Sequence, residues 1–214
     1  MCTIKAYLGF LPMVIIENLR KRTKLVSFIQ MFLKLGGTGE HLKFVRHGFD
    51  KYSLLDISEN IDGLQRVKSD PRESRIRFIL ADATEMPLKS DDFDRVLVTC
   101  VLHHIPNLEM ALTEIRRVAK SGATIDFYVP CDPGMAYRWI RHWTSHFKQK
   151  RNMDLTWVEV KHLWALEHRN HYLGVVSLIK GIYVHDELQI TRFPFRFFSL
   201  NLNLYSLVSI QVKK

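Results

Sequence analysis

A handful of positions in this chain carry residue types that do chemistry. Gly36-Gly37-Thr38-Gly39 places three glycines in four positions. With no Cβ in the way, their backbone N–H groups stay open to a ligand, above all where a helix begins just behind them. Asp56 follows Gly39 by 17 positions, a spacing at which a carboxylate meets ribose hydroxyls in nucleotide-binding α/β units. Asp82 comes where a third strand would end, in reach of an adenine edge. His103, His104 and Asp132 are groups able to take up a proton. Each residue alone has an ordinary use as a turn, a cap or core packing. Their order along the chain makes the nucleotide reading stronger than any one of them.

Other nucleotide motifs are missing. The glycines do not form Gly-x-Gly-x-x-Gly, and no Gly-x-x-x-x-Gly-Lys-Ser/Thr phosphate loop occurs. His142 and His146 sit at i, i+4, and Glu167, His168 and His171 are metal-ligand types, but no His-Glu-x-x-His is present. No metal is expected.

The elements that must position these residues follow from the apolar pattern. Residues 27–35, Tyr52–Ile57, Arg77–Leu80, Arg95–Thr99 and Ala123–Val129 read as strands, each nearly continuously apolar. Residues 40–48, Asn60–Val67 and Leu108–Ala119 read as helices; the last has apolar residues at 108, 112, 115 and 118. Alternating strands and helices describe a parallel sheet covered on both faces, whose ligands bind beyond the C-terminal strand ends. Gly36–Glu40, Asp56, Asp82, Thr99–His104 and Asp132 all fall there. Residues 135–185 are helix-like and rich in Trp and His; 187–193 and 203–212 return to strand character. The predicted fold is a three-layer α/β/α sandwich, Rossmann-like, with a seven-stranded, mostly parallel sheet and an antiparallel edge strand. Its expected parts are an N-terminal segment (1–32), a core (33–134), a helical cap for the acceptor (135–185) and C-terminal edge strands (186–214). Trp139 and Trp143 are expected to pack against the sheet, and Phe193, Phe195, Phe197 and Phe198 to fill core and edge.

Taken together, the stretches Leu35–Glu40, Leu54-Leu-Asp-Ile-Ser58, Leu80–Leu88, Phe93-Asp-Arg-Val96, Val101-Leu-His-His-Ile105 and Ile115–Lys120 resemble the class I S-adenosylmethionine-dependent methyltransferases. The resemblance spans about residues 33–130. It implies S-adenosylmethionine as cofactor and methyl transfer as the reaction. Gly36, Gly37, Thr38 and Gly39 would hold its methionine part. Asp56, with Ile57 beside it, would hold the ribose, and Asp82 with Ala83 the adenine. Thr99 and Cys100 would line the floor. The first motif departs from the family, which shows an acidic residue and then Gly-x-Gly-x-Gly. Here it is one residue short, and either Lys34 or Leu33 occupies the acidic position.

Methyl transfer asks for alignment and exclusion of water more than for side-chain chemistry. A base is needed only when the acceptor loses a proton; His103, His104 and Asp132 are the candidates. Glu167, Arg169, Asn170 and His171 form a candidate polar patch for the acceptor. The Cys131-Asp-Pro-Gly134 and Glu167–His171 segments look similar to bacterial methyltransferases of surface-polysaccharide pathways. These features lead to methyl transfer, to oxygen, on a small molecule or glycan. The second reading is a non-catalytic binding or scaffold protein of the same fold, motivated by the shortened glycine motif.

Composition sets the frame. The 214 residues are 47% hydrophobic and 25% charged, with a net charge of +9, a composition that excludes collagen-like and disordered classes. The charge is uneven: residues 1–34 hold six Lys/Arg against one Glu, residues 35–130 hold 13 basic and 15 acidic, and residues 131–214 hold 12 basic and 6 acidic. No nucleic-acid module accompanies the basic flanks, so nucleic acid is not an expected partner. Peripheral membrane contact stays open, without stable insertion; the oligomeric state is not fixed by the sequence. Three cysteines without Cys-x-x-Cys suit a reduced, cytoplasmic setting. The apolar run Tyr7–Ile16 has no small-x-small site behind it, so a signal peptide is not expected.

Overall fold

The computed structural model describes residues 28–36, 39–59, 61–152 and 156–214. The N-terminal apolar run and the expectations for Gly37 and Thr38 lie outside them. The order is β1 (Phe28–Leu35), a 3-10 turn (Glu40–Phe44), β2 (Gly48–Asp56), α1 (Ile61–Lys68), β3 (Ile76–Leu80), β4 (Phe93–Thr99), α2 (Leu108–Val118), β5 (Ala119–Pro130), α3 (Met135–Asn152), α4 (Trp157–Glu167), α5 (Tyr172–Ile182), β6 (Glu187–Phe193) and β7 (Tyr205–Gln211).

The seven strands form one sheet in the order β3-β2-β1-β4-β5-β7-β6. β1 to β5 are parallel, and β7 runs antiparallel to both of its neighbours. The antiparallel strand therefore lies one place in from the edge, which is β6. β1 sits between β2 and β4, so the chain winds outward from it in both directions. That switch point opens a crevice at the C-terminal strand ends.

Both faces of the sheet are apolar because both are covered. One face carries Leu33, Leu35, Val96, Val98, Ile125 and Phe127 against α2 and α5. α2 meets it with Leu108, Ala111, Leu112, Ile115 and Val118, the i, i+3, i+4, i+7 stripe. Its N-terminus is capped by Asn107, whose Oδ1 accepts from Met110 N at 3.3 Å. The opposite face holds Phe32, Phe49, Tyr52, Leu54 and Leu97; the Phe32 and Tyr52 rings stack at 4.5 Å.

Several expectations change in the fold. The helix read over 40–48 is a single 3-10 turn, because β2 already begins at Gly48. β5 starts at Ala119 and runs through Gly122, whose φ of 79° lets the strand turn there. The 135–185 segment divides. α5 buries Tyr172, Val175, Val176 and Ile179 against α2 and β5 and so belongs to the sandwich layer. Trp139 and Trp143 do not pack on the sheet: they are 66% and 55% exposed and lie ring to ring at 5.6 Å. Phe193 is buried, but Phe195, Phe197 and Phe198 are exposed on the loop after β6, beyond the reach of the sheet's faces.

Candidate active site

Sheet register brings the sequence-predicted residues to one level. Leu35 pairs with Leu55 on one side and Val98 on the other, and Asp56 pairs with Leu80. Gly36, Asp56, Leu80 and Thr99 therefore lie at one level at the ends of their strands. Gly36 has φ +90°, and a Cβ there would lie 2.9 Å from Val101 Cγ2 and 3.2 Å from the Thr99 carbonyl oxygen. Only glycine lets the turn after β1 pass the turn after β4. Gly39, with φ +68°, is buried against Gly63 and Arg66 of α1.

The two carboxylates stand at neighbouring strand ends. Asp56 is half-buried, and its Oδ1 accepts from Ser58 N at 3.2 Å and Ser58 Oγ at 3.4 Å. Ile57 beside it is 70% exposed, an apolar side chain at the strand end. Asp82 is exposed; its Oδ1 accepts from the backbone N and the hydroxyl of Thr84, both at 2.8 Å. Ala83 is buried. Each Asp thus orders its own turn.

The floor is strained and carries a cation. Cys100 has φ 52°, a left-handed conformation rare outside glycine. Burial pushes its thiol up to about 12, against the Lys34 charge, so the sulfur is a packing group rather than a nucleophile. Lys34 is buried on β1, and its Nζ donates to the Gly36 carbonyl. An ammonium therefore sits at the root of the glycine turn.

A second group lies beyond β4 and β5. His103, His104 and His168 bring their rings together, with centroids 3.9 Å (103–104), 4.5 Å (103–168) and 5.2 Å (104–168) apart. Asp132 Oδ2 lies 3.3 Å from His168 Nδ1 and 3.1 Å from Arg141 Nη1. Burial holds His103 down to about 2, so it is neutral at every working pH. Burial alone would raise the Asp132 carboxyl; the His168 hydrogen bond and the Arg141 charge outweigh it, and its pKa falls below the ordinary carboxylate value.

The sequence named His103, His104 and Asp132, and the fold brings all three to this cluster. It did not group His168 or Arg141 with them. Both arrive from later helices, α3 and the end of α4, with no spacing rule linking them to the Val101–Ile105 loop. His168 was grouped by type with Glu167 and His171. The side chain of Glu167 lies outside the described residues, and His171 is exposed at the start of α5. Arg169 is exposed too, but its backbone N donates to the His103 carbonyl at 2.9 Å. Asn170 spends its amide on the fold: Nδ2 donates to the Leu102 and Ile105 carbonyls at 3.0 and 2.7 Å. That latch is what carries His168 to the loop after β4.

The comparisons with known proteins agree with this layout. Residues 33–127 match the family model described as a methyltransferase domain. The demethylmenaquinone methyltransferase of Clavibacter sepedonicus is 25% identical over 156 residues, covering 59% of this chain and 62% of that protein. The chain thus spans under two thirds of that relative's length. Among solved structures, the N-methyltransferase NodS from Bradyrhizobium japonicum, in complex with S-adenosyl-L-homocysteine, superposes with a TM-score of 0.64 at 12% identity, covering 97% of this chain and 91% of that one. An S-adenosylmethionine-dependent methyltransferase from Mesorhizobium loti gives 0.61 at 17% identity, covering 92% and 96%.

Proposed function

We propose, from the match of residues 33–127 to a methyltransferase domain, that this chain is a class I S-adenosylmethionine-dependent methyltransferase and that it transfers a methyl group to an oxygen of a small-molecule or glycan acceptor. The observation that carries the reading is the shared level of Gly36, Asp56 and Thr99 at the switch point of the sheet, next to a histidine–aspartate cluster.

The residues fit the nucleoside end of the cofactor. Asp56 is placed for the ribose hydroxyls, Ile57 offers an apolar face to the base, and Asp82 with Ala83 lies at the next strand end for the adenine edge. Gly36, Gly37, Thr38 and Gly39 are the residues for the methionine end, with Thr99 and Cys100 beneath. When bound, S-adenosylmethionine supplies an activated methyl on a sulfonium. The chain's own part is to hold the acceptor in line, exclude water and manage a proton. Asp132 fixes the orientation of His168; His103 and His104 complete the wall on which an acceptor hydroxyl would rest. Arg169 and His171, exposed beside that wall, are the groups available to an acceptor's outer polar atoms, with Glu167 next to them in sequence.

A second reading, a binding protein of this fold without turnover, rests on the shortened glycine motif, in which either Lys34 or Leu33 stands at the acidic position. One experiment separates the two. Calorimetric titration with S-adenosyl-L-homocysteine is expected to give a saturable 1:1 isotherm, after which an acceptor screen over hydroxylated small molecules and glycans should give methylated product. A folded protein that ignores millimolar ligand would overturn the enzyme reading.

A further inference from the structure

We infer that His103, His104 and His168 form a binding site for a divalent transition metal ion of the zinc type, on the acceptor side of the crevice. One nitrogen from each of the three rings lies within 4.8 Å of those of the other two. Three imidazoles and an open fourth position are the ligand set of zinc sites that act on a bound oxygen. Zinc–nitrogen bonds of about 2.0–2.1 Å put tetrahedral ligands about 3.3 Å apart, so side-chain rotation closes the site.

Two further observations point the same way. The His103 ring is 8% exposed, and its Nδ1 has no hydrogen-bond partner. A buried imidazole nitrogen left unpaired is unfavourable, and coordination within this cluster removes that cost. His168 is also already oriented. Its Nδ1 stands 3.3 Å from Asp132 Oδ2, the carboxylate-to-histidine contact that fixes the tautomer of metal-binding histidines and leaves Nε2 to the ion.

Arg141 works against the ion by charge. Its Nη1 lies 3.1 Å from Asp132 and 3.4 Å from His168 Nδ1. Without metal, two tautomers of His168 compete: one accepts from Arg141 at Nδ1, the other donates from Nδ1 to Asp132. An ion on Nε2 selects the second. The site is therefore one of moderate affinity, and the ion reports on itself by displacing a proton arrangement as well as by binding.

The existence of the site does not depend on methyl transfer; its use does. Under the methyltransferase reading, the ion would hold an acceptor hydroxyl in its fourth position and favour its deprotonated form, the proton leaving to solvent.

The test uses the full chain, without a histidine tag and stripped by chelator. Co2+ titration is expected to produce the visible absorption of a tetrahedral nitrogen site, and Zn2+ calorimetry one ion per chain. His104→Gln and His168→Gln should each weaken binding at least tenfold. Asp132→Asn should weaken it about 10–100-fold, with near-ultraviolet circular dichroism and Tm confirming that each variant is folded. A wild-type titration indistinguishable from that of the His104→Gln/His168→Gln double variant overturns the proposal. S-adenosyl-L-homocysteine titration of the same preparations separates the two readings. Nucleoside binding without metal binding removes the metal site alone. Metal binding without nucleoside binding leaves the site standing and removes the methyltransferase reading.

Discussion

Arg95 on β4 and Asp126 on β5 meet inside the sheet at 2.5 Å, Nη2 to Oδ2, with Ser209 Oγ of β7 donating to the other carboxylate oxygen at 2.6 Å. Three strands thus share one buried polar contact in an otherwise apolar layer. Asp126→Ala leaves a guanidinium uncompensated and is expected to cost about 3–5 kcal/mol. Replacing both partners, as Arg95→Met/Asp126→Leu, should recover most of that loss. Urea unfolding of the wild type and both variants checks it; equal losses in the single and double variants would show that packing rather than charge decides.

Lys34 puts a fixed positive charge beneath the glycine turn. A sulfonium ligand feels that charge and its neutral thioether product does not. At separations of about 8–10 Å and an effective dielectric near 20, the repulsion is about 2 kcal/mol, roughly 20- to 30-fold in affinity. Lys34→Met is therefore expected to raise affinity for S-adenosylmethionine up to roughly 20- to 30-fold relative to S-adenosyl-L-homocysteine. Parallel calorimetry of both ligands on both proteins gives the ratio. A ratio that does not move would mean that the ammonium is neutralised by its surroundings.

Under the proposed reading, Asp56 accepts hydrogen bonds from the ribose hydroxyls. Removing an acceptor from a sequestered hydroxyl pair costs about 1–3 kcal/mol. Asp56→Ala should thus weaken S-adenosyl-L-homocysteine binding roughly 5- to 150-fold, while adenosine-free sulfonium ligands are unaffected. Unchanged affinity would remove Asp56 from that role.

Glu114 and Arg117 are linked across one helical turn of α2 at 2.6 Å. The pair also reaches outward: Glu114 Oε2 accepts from Met86 N, and Arg117 donates to the Met86 and Leu88 carbonyls. The Arg117 hydrogen bond holds the Glu114 carboxyl below its ordinary value. A carboxyl lowered on folding stabilises fully above its unfolded pKa, and the contribution is lost as pH falls through the lowered value. The protection factors of residues 85–90 against amide exchange should therefore fall on acidification below about pH 4.5, and Glu114→Gln should show the low protection at neutral pH. Protection factors flat across that window in the wild type would contradict the anchoring role.

Much of this was legible from pattern alone. β1 to β5 announce themselves because strands covered on both faces must be apolar throughout, and α2 because its stripe is regular. Gly36, Asp56, Asp82 and Thr99 could be placed because each closes such a strand or follows it within two residues. The second half was harder for physical reasons. Trp139 and Trp143 have the spacing of a buried stripe, yet stay exposed, ring beside ring. α5 resembles a cap segment until Tyr172 and Ile179 are seen against α2. His168 and Arg141 reach the site through tertiary packing, which leaves no mark in local spacing.

The Asn170 amide ties residues 102 and 105 to the segment that carries His168. The same loop begins at Thr99 and Cys100, so one short piece of backbone borders both the cofactor crevice and the histidine cluster. A ligand that settles this loop on one side must change affinity on the other, and by an equal factor in either direction. Occupancy of the two sides is then coupled through a loop rather than through contact between ligands. An ordered kinetic sequence, cofactor before acceptor, is the form such coupling takes when the loop is loose in the free protein.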